Sequence, residues 1–528
     1  MTERAGARRA PVWAQELKQH AETLAARIPW IRLLRVAVFA LAIFHVVLFL
    51  GTVAMRIGYP FELEWTEGGI EDYVRRVLAG EPIYTAPSME FGTSIYTPLY
   101  FYLAALPARL FGLSFVPLRV VSLLATLASA LLIYALVRSG GGRRSPAALA
   151  AMLFIGAFEA AGTWFDLAKI DMVFLALLLA SFYAIHASRS ARGYALAGLI
   201  LLLAFLTKQT ALIAGMPLVV WALWRDRWRA VPLVVMALGG IVVTTLLFDR
   251  LTDGWYSFYV FELPSRHPFL PFRFVSFWTA DFFGSIGLAV VVGLTFLWIR
   301  RYLGRPYSFW AIAWAAAVLT AYAGRIHEGG CVNAVIPAFA LTAVLFGLGF
   351  DAVGRCAESL SQKRIKQGVR GLLYVATLVQ LIVLLYIPMW HIPSAADEAA
   401  GRRIVSFLAE AESPVYVPSH GYLAQRAGHE PGAHSAAHWD LLRGDFPARD
   451  TLMAVMREAL RSQRYSLIIE SDADLFRLPL GSTYVEVDRL FDDDTEFFPV
   501  AGGRMRPLHV YIPRPISEPD TNATPSRP

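Results

Sequence analysis

The sequence predicts a mainly α, polytopic membrane protein of about 11 transmembrane helices with a small extracytoplasmic α/β domain at its C-terminus. Three observations predict it. Apolar runs close to a bilayer's thickness recur from Val36 to Met389, arginines cluster between alternate runs, and after Met389 shorter strand-like and helical patterns replace the apolar runs. Composition agrees, with 56% of the 528 residues hydrophobic and 17% charged, where a soluble domain carries about 25% charged residues. The net charge of +7 lies in short clusters between the runs. That distribution orients a membrane protein, whereas a nucleic-acid surface would gather it on one face, so the expected partner is lipid and not nucleic acid.

The first run, Val36 to Met55, follows a basic tail carrying Arg4, Arg8, Arg9, Lys18, Arg27, Arg32 and Arg35. It is too long for the apolar stretch of a signal peptide, so it is an uncleaved span with its N-terminus in the cytoplasm. The later spans are 117–137, 147–163, 172–187, 194–206, 210–224, 230–247, 282–299, 308–323, 334–350 and 371–389. The stretch from Pro98 to Gly112 is short and holds Pro107 and Arg109. If it crossed, the Arg138, Arg143 and Arg144 loop would face outward and every later loop would invert. Left uncrossed, that loop and those with Arg189/Arg192, Arg225/Arg227/Arg229, Arg300/Arg301/Arg305 and Arg355/Lys363/Arg364 all face the cytoplasm, as the positive-inside rule requires.

The domains follow: a cytoplasmic basic tail (1–35), a membrane domain (36–389) with an acidic outer loop (56–116), an extracytoplasmic α/β domain (390–515) and a disordered tail (516–528). In the α/β domain, Pro414 to Pro418, Tyr465 to Glu470 and Leu508 to Ile512 pattern as strands and Thr451 to Arg464 as a helix. Cys331 and Cys356 fall on opposite faces of the membrane and cannot pair.

Candidate chemistry collects on the outer face. The first loop carries Glu62, Glu64, Glu67, Glu71 and Asp72 among aromatic residues and glycines; carboxylates held near an interface can serve as bases. Ile70 to Leu78 forms an amphipathic helix with Arg75 and Arg76 available to headgroups. Asp166, Lys169 and Asp171 crowd the turn into the fourth span, Lys208 sits in the turn between the fifth and sixth, and Arg273, Arg325 and His327 mark later outer turns. Ionisable groups at membrane depth are expensive and usually functional; an ion pair of Lys169 with Asp166 or Asp171 is the structural alternative. His434 and His438, four apart, could share a helical face as zinc ligands do, but nothing firmly placed completes such a site, and a polar loop is preferred.

The acidic motif, then Gly80-Glu81-Pro82-Ile83-Tyr84, then Tyr96-Thr97-Pro98-Leu99-Tyr100 running to Leu110-Phe111-Gly112, resembles the GT-C membrane glycosyltransferases, nearest to the protein O-mannosyltransferase and lipid A aminoarabinose transferase group (families 39 and 83). Leu167-Ala168-Lys169-Ile170-Asp171 and Leu206-Thr207-Lys208-Gln209 extend the likeness over roughly residues 30–350. It implies transfer of a sugar from a polyprenyl-phosphate donor to a cell-envelope acceptor at the outer face of the inner membrane. Glu67, Glu64 and Asp171 would be catalytic, and Lys208, Arg273, Arg325, His327, Lys169 and Tyr96 would bind substrate or phosphate. No metal ligands are assigned; a divalent cation is the one cofactor left open. Two departures matter: the family's Asp-Glu pair is Thr66-Glu67 here, so the base falls to Glu67 or Glu64, and Thr97-Pro98 lacks a lysine that meets the lipid phosphate in some relatives. A transporter or lipid flippase, or a non-catalytic scaffold, are the alternatives. Most charges lie at outer span ends and no repeat is visible, which argues against the first.

Overall fold

A computed structural model describes residues 30–473, 477–492 and 494–515. The expected disordered tail and nearly all of the basic N-terminal segment lie outside the described residues. The helices are α1 (Trp30–Arg56), α2 (Glu67–Ala79), α3 (Leu99–Phe111), α4 (Phe115–Ser139), α5 (Arg144–Gly156), α6 (Asp171–Ala187), α7 (Ala191–Thr207), α8 (Ala211–Asp226) and α9 (231–251). They continue with α10 (255–265), α11 (Arg273–Tyr302), α12 (Ser308–Ile326), α13 (Val332–Ser359) and α14 (Lys363–Val383). Each predicted apolar run falls wholly or in part on one of these helices. Among the described residues, six helical runs are long and apolar enough to cross a bilayer, and a bent pair after Lys363 makes a seventh. One of the six, Ala211–Leu251, has 41 residues, or about 60 Å, twice the hydrocarbon thickness. Arg227, at φ 47° and ψ −120°, breaks it into α8 and α9. Helix α3 has 13 residues, about 20 Å, too short to cross on its own. The chain is a multi-pass membrane protein.

Several span boundaries need correction: α11 starts at Arg273 and not at 282, and α13 runs on to Ser359 and not to 350. The predicted span 147–163 ends as a helix at Gly156, and the chain then winds through turns to Ile170, with Gly162 and Thr163 at positive φ. Irregular backbone at this depth is tolerated because it is covered by protein. The last predicted span, 371–389, begins earlier, at Lys363, and ends at Val383. At the centre lies α13, whose apolar stretch is 89% buried against 17–44% for the other long runs. It can cross α11 closely because Gly349 faces the Val292 carbonyl, where a Cβ would meet the oxygen at 2.0 Å.

The C-terminal part adds α15 (Ala395–Ala409), α16 (Gly421–Arg426), α17 (Ser435–Leu442) and α18 (Pro447–Arg461) around a four-stranded sheet. Its strands are β1 (Val415–Tyr416), β2 (Leu467–Ser471), β3 (Tyr484–Arg489) and β4 (Pro507–Pro513), in the order β1-β2-β4-β3. β1 and β2 are parallel, joined by a helical crossover; the other pairs are antiparallel. The unpredicted strand is β3, an edge strand mostly open to solvent, which lacks the buried alternation that marks a strand in sequence. This part shares one apolar core with the first loop: Phe61, Tyr73 and Tyr84 pack in the same cluster as Tyr416, Tyr422 and Leu441. A parallel bridge of Glu64 with Ala501 ties the two together.

Candidate active site

The irregular stretch after α5 is pinned by the end of α1. Buried Arg56 donates from Nε to Asp166 Oδ2 at 2.8 Å and from Nη2 to the Thr163 carbonyl at 2.8 Å. Asp166 is therefore spent on Arg56 and not on Lys169, which corrects one expected ion pair. The turn so fixed presents Trp164, Lys169 and Asp171 to a cavity of about 330 Å³. The other walls are the first loop and α2 (Glu64 to Tyr73), the segment 91–96, the turn at Lys208, the turns at His267 and His327, and α17.

Two lysines face this cavity, each held by a carboxylate that also faces it. Lys169 Nζ lies 2.7 Å from Glu64 Oε2 and also reaches the Thr66 hydroxyl. Lys208 Nζ lies 2.7 Å from Asp171 Oδ1, while Asp171 Oδ2 accepts from the Trp164 indole at 2.9 Å. The expected alternative pairing of Asp171 with Lys169 is thus replaced by two separate pairs. Tyr96 lies among them, within the electrostatic reach of Asp171, Asp440 and Glu64.

The acidic loop divides by environment. Glu67 is fully buried, accepts from Arg119 at 2.7 and 3.1 Å and from the Leu63 and Ala168 N–H groups at 2.8 and 2.7 Å. Burial would raise its carboxyl, but Arg119 and these donors hold it below the usual range. Glu67 does not line the cavity. Glu62 takes the Gly68 N–H at 2.8 Å and meets His420 Nδ1 at 2.6 Å. Burial pushes Glu62 well up and His420 down to about 3, disfavouring the ionised form of each. Glu71 faces Arg426 at 3.4 Å. Asp72 lines the cavity and, among the described residues, has no ion pair and leaves its buried Oδ1 without a hydrogen bond. Arg76, expected at headgroups, instead pairs with Glu81 at 3.1 Å and stacks on Phe91.

The C-terminal part closes the cavity. His434 packs on Trp65, with its Nε2 3.3 Å from the Trp65 carbonyl and its Nδ1 accepting the Ala436 N–H. Burial lowers it to about 4. Its neighbour His438 contacts the Ser88 carbonyl at 2.9 Å, so the two imidazoles are spent on different loops and not on a shared ion. Among the described residues no group of three or more His, Cys, Asp or Glu side chains is arranged to hold a metal. Asp440 is pushed up to about 6 by burial, against the pull of Arg443. Arg273 and Arg325, in contrast, turn away. Arg273 Nη1 donates to the His327 and Gly330 carbonyls at 2.6 and 2.8 Å, and Arg325 pairs with Asp281 at 2.8 Å. They brace the turn that carries His327 and do not line the cavity.

A family model for dolichyl-phosphate-mannose-protein mannosyltransferases matches residues 96–249. Crystal structures of ArnT from Cupriavidus metallidurans superpose over 90% of this chain and 97% of that one at 15% identity, with TM-scores of 0.54 for the apo form and 0.55 for the form bound to undecaprenyl phosphate. The chain has a GT-C fold. No curated protein sequence matches it. Within the GT-C framework, Glu64, Lys169, Asp171, Lys208, Tyr96 and His327 converge on one cavity, and Glu67, Arg273 and Arg325 stand behind its walls. Sequence reading missed the contribution of α17. The one available signal was its run of small residues beside aromatic and titratable ones, Gly432-Ala433-His434-Ser435-Ala436-Ala437-His438-Trp439-Asp440, where Gly92 and Ala437 permit close approach.

Proposed function

We propose that the chain is a glycosyltransferase that moves a sugar from a polyprenyl-phosphate-linked donor to a lipid, glycan or protein acceptor of the cell envelope. The family match and the GT-C fold support the reaction class. The observation that carries the reading is the meeting of Lys169 and Lys208 in a single cavity walled by aromatic rings. Two ammonium groups beside a departing lipid phosphate would stabilise its charge as the anomeric bond breaks. The polar atoms left without partners along the same walls, Asp72 Oδ1, Gln209 Oε1 and His327 Nδ1, suit a hydroxyl-rich ligand. Leaving such atoms buried costs roughly 1–3 kcal/mol each, a cost a sugar hydroxyl would remove.

Glu64 and Asp171 position the two lysines in this reading, and Glu67 holds Arg119 beneath the loop. Lys208 takes the place of the lysine missing at Thr97. The site lies on the extracytoplasmic side of the inner membrane, with eleven crossings, the N-terminus inside and the C-terminal part outside. The arginine-rich loops support that orientation. A lipid-mass comparison of wild-type and deletion cells tests the function. A polyprenyl-phosphate sugar should accumulate on deletion and disappear on complementation; unchanged pools of every such lipid would overturn the reading.

A further inference from the structure

Five carboxylates line the cavity: Glu64, Asp72, Asp171, Glu328 and Asp440. Four are committed to cations, Glu64 to Lys169, Asp171 to Lys208, and Glu328 and Asp440 to Arg443. Asp72 is 4% exposed, has no ion pair among the described residues and keeps a buried oxygen without a hydrogen bond. It stands on the face of α2 that also carries Gly69 and Tyr73, opposite the C-terminal part. We infer that Asp72 is the proton acceptor of the transfer, an assignment that rests on the glycosyltransferase reading above.

The step balances without any further reactant. The acceptor hydroxyl loses its proton to the Asp72 carboxylate, and its oxygen forms the new bond to the anomeric carbon. The bond from that carbon to the phosphate oxygen breaks, and its electron pair leaves on the polyprenyl phosphate beside Lys169 and Lys208. A carboxylate clamped by an ammonium is a poor base because the cation stabilises its ionised form. Asp72 escapes that clamp, and burial pushes it up to about 7, with Arg75 the largest opposing influence. A base poised near the working pH is the efficient one.

Its surroundings leave the role open to it. On α2 itself, Glu71 faces Arg426 and Arg76 faces Glu81, while the Arg75 Nε has no partner. Across from it, His420 meets Glu62 and His434 meets the Trp65 carbonyl, both held neutral by burial. From α3, packed on the other side of α2, Tyr100 turns its hydroxyl to the Leu118 carbonyl. None of these groups neutralises the Asp72 carboxylate directly.

The test uses the full chain in lipid nanodiscs with a panel of undecaprenyl-phosphate-linked hexoses and pentoses, cell-envelope extract as acceptor, and release of undecaprenyl phosphate as readout. Asp72→Asn should lower kcat by about 10²- to 10⁴-fold, and Asp72→Glu should recover part of it. In wild type, kcat should climb with pH to a plateau above pH of about 7, and the residual activity of Asp72→Asn should lack that climb. Binding of undecaprenyl phosphate alone should stay within twofold of wild type in both variants. Turnover of Asp72→Asn within threefold of wild type overturns the assignment, as does a loss traced to weaker undecaprenyl phosphate binding or to unfolding. Absence of release by the wild-type chain with every donor would instead remove the transferase reading, and this assignment with it.

Discussion

Lys208 and Asp171 are bound to each other across the cavity wall, 2.7 Å from ammonium to carboxylate, while the indole of Trp164 occupies the second carboxylate oxygen. The aspartate thus has both oxygens engaged, one by the lysine and one by the indole. Asp171→Asn should destabilise the fold by about 3 kcal/mol, because a mostly buried ammonium loses its counter-charge. Adding Lys208→Met should restore most of that stability and leave transfer abolished. Thermal unfolding and transfer assays on the three variants check this; recovered transfer in the double variant would take both residues out of the site.

Glu67 should behave in the opposite way from a base. Glu67→Gln leaves the buried guanidinium of Arg119 without its carboxylate, so folding should suffer by about 3–5 kcal/mol. The folded-state carboxyl is lowered, so its contribution is present above the unfolded pKa and is lost as pH falls through the lower folded value. Size-exclusion profiles after heating at neutral pH give the measurement. A variant as stable as wild type but inactive would return Glu67 to the list of bases.

Asp72 makes a converse stability prediction. Its carboxyl binds a proton more tightly folded than unfolded, so stability falls as pH rises from about 4 to about 7. Asp72→Asn should therefore be more stable than wild type at pH 8, by roughly 2–4 kcal/mol, with the gap narrowing at pH 5. Melting curves at the two pH values are sufficient. An equal or lower Tm at pH 8 would place Asp72 in a solvated setting.

The two native cysteines report topology without added tags, since both are exposed. A membrane-impermeant maleimide should reach Cys331 in spheroplasts and reach Cys356 only after the inner membrane is broken. Labelling in the reverse order would invert the orientation and move the cavity to the cytoplasmic side.

Gly68 tests the seam between the first loop and the C-terminal part. A Cβ there would stand 2.6 Å from Glu62 Oε1 and 2.7 Å from the ring of Tyr422. Gly68→Val should cost about 1–3 kcal/mol through overpacking and weaken turnover, with protease nicking beyond residue 392 as the visible sign. Wild-type resistance to protease would show that the seam tolerates bulk.

Apolar length made the helices readable, because it obeys the bilayer directly. The early stop of α5 at Gly156 was hidden: residues 157–163 continue the apolar run, and the contacts that fix them as turns include the distant Arg56 and His391. Lys169, Asp171 and Lys208 stood out in sequence because charge at membrane depth is rare. Their pairing did not, since it depends on the α5–α6 turn and on Trp164. The division of labour within the acidic loop was equally hidden. Glu64 and Glu67 lie three positions apart, yet Arg119 from α4 reaches Glu67 and leaves Glu64 to Lys169.

The bridge between Glu64 and Ala501 also sets a clock. The ribosome makes the first of these residues long before the second; at about 5–20 residues per second the delay is roughly 20–90 s. For part of it, the turns that carry Lys169 and Lys208 exist while α17 and the last strand are still unmade. Until α17 is made, the pocket that holds the two lysines lacks the wall that His434 to Asp440 supply. The cavity is thus complete once α17 has docked, and the seam from Glu64 to Ala501 closes only at the end of translation.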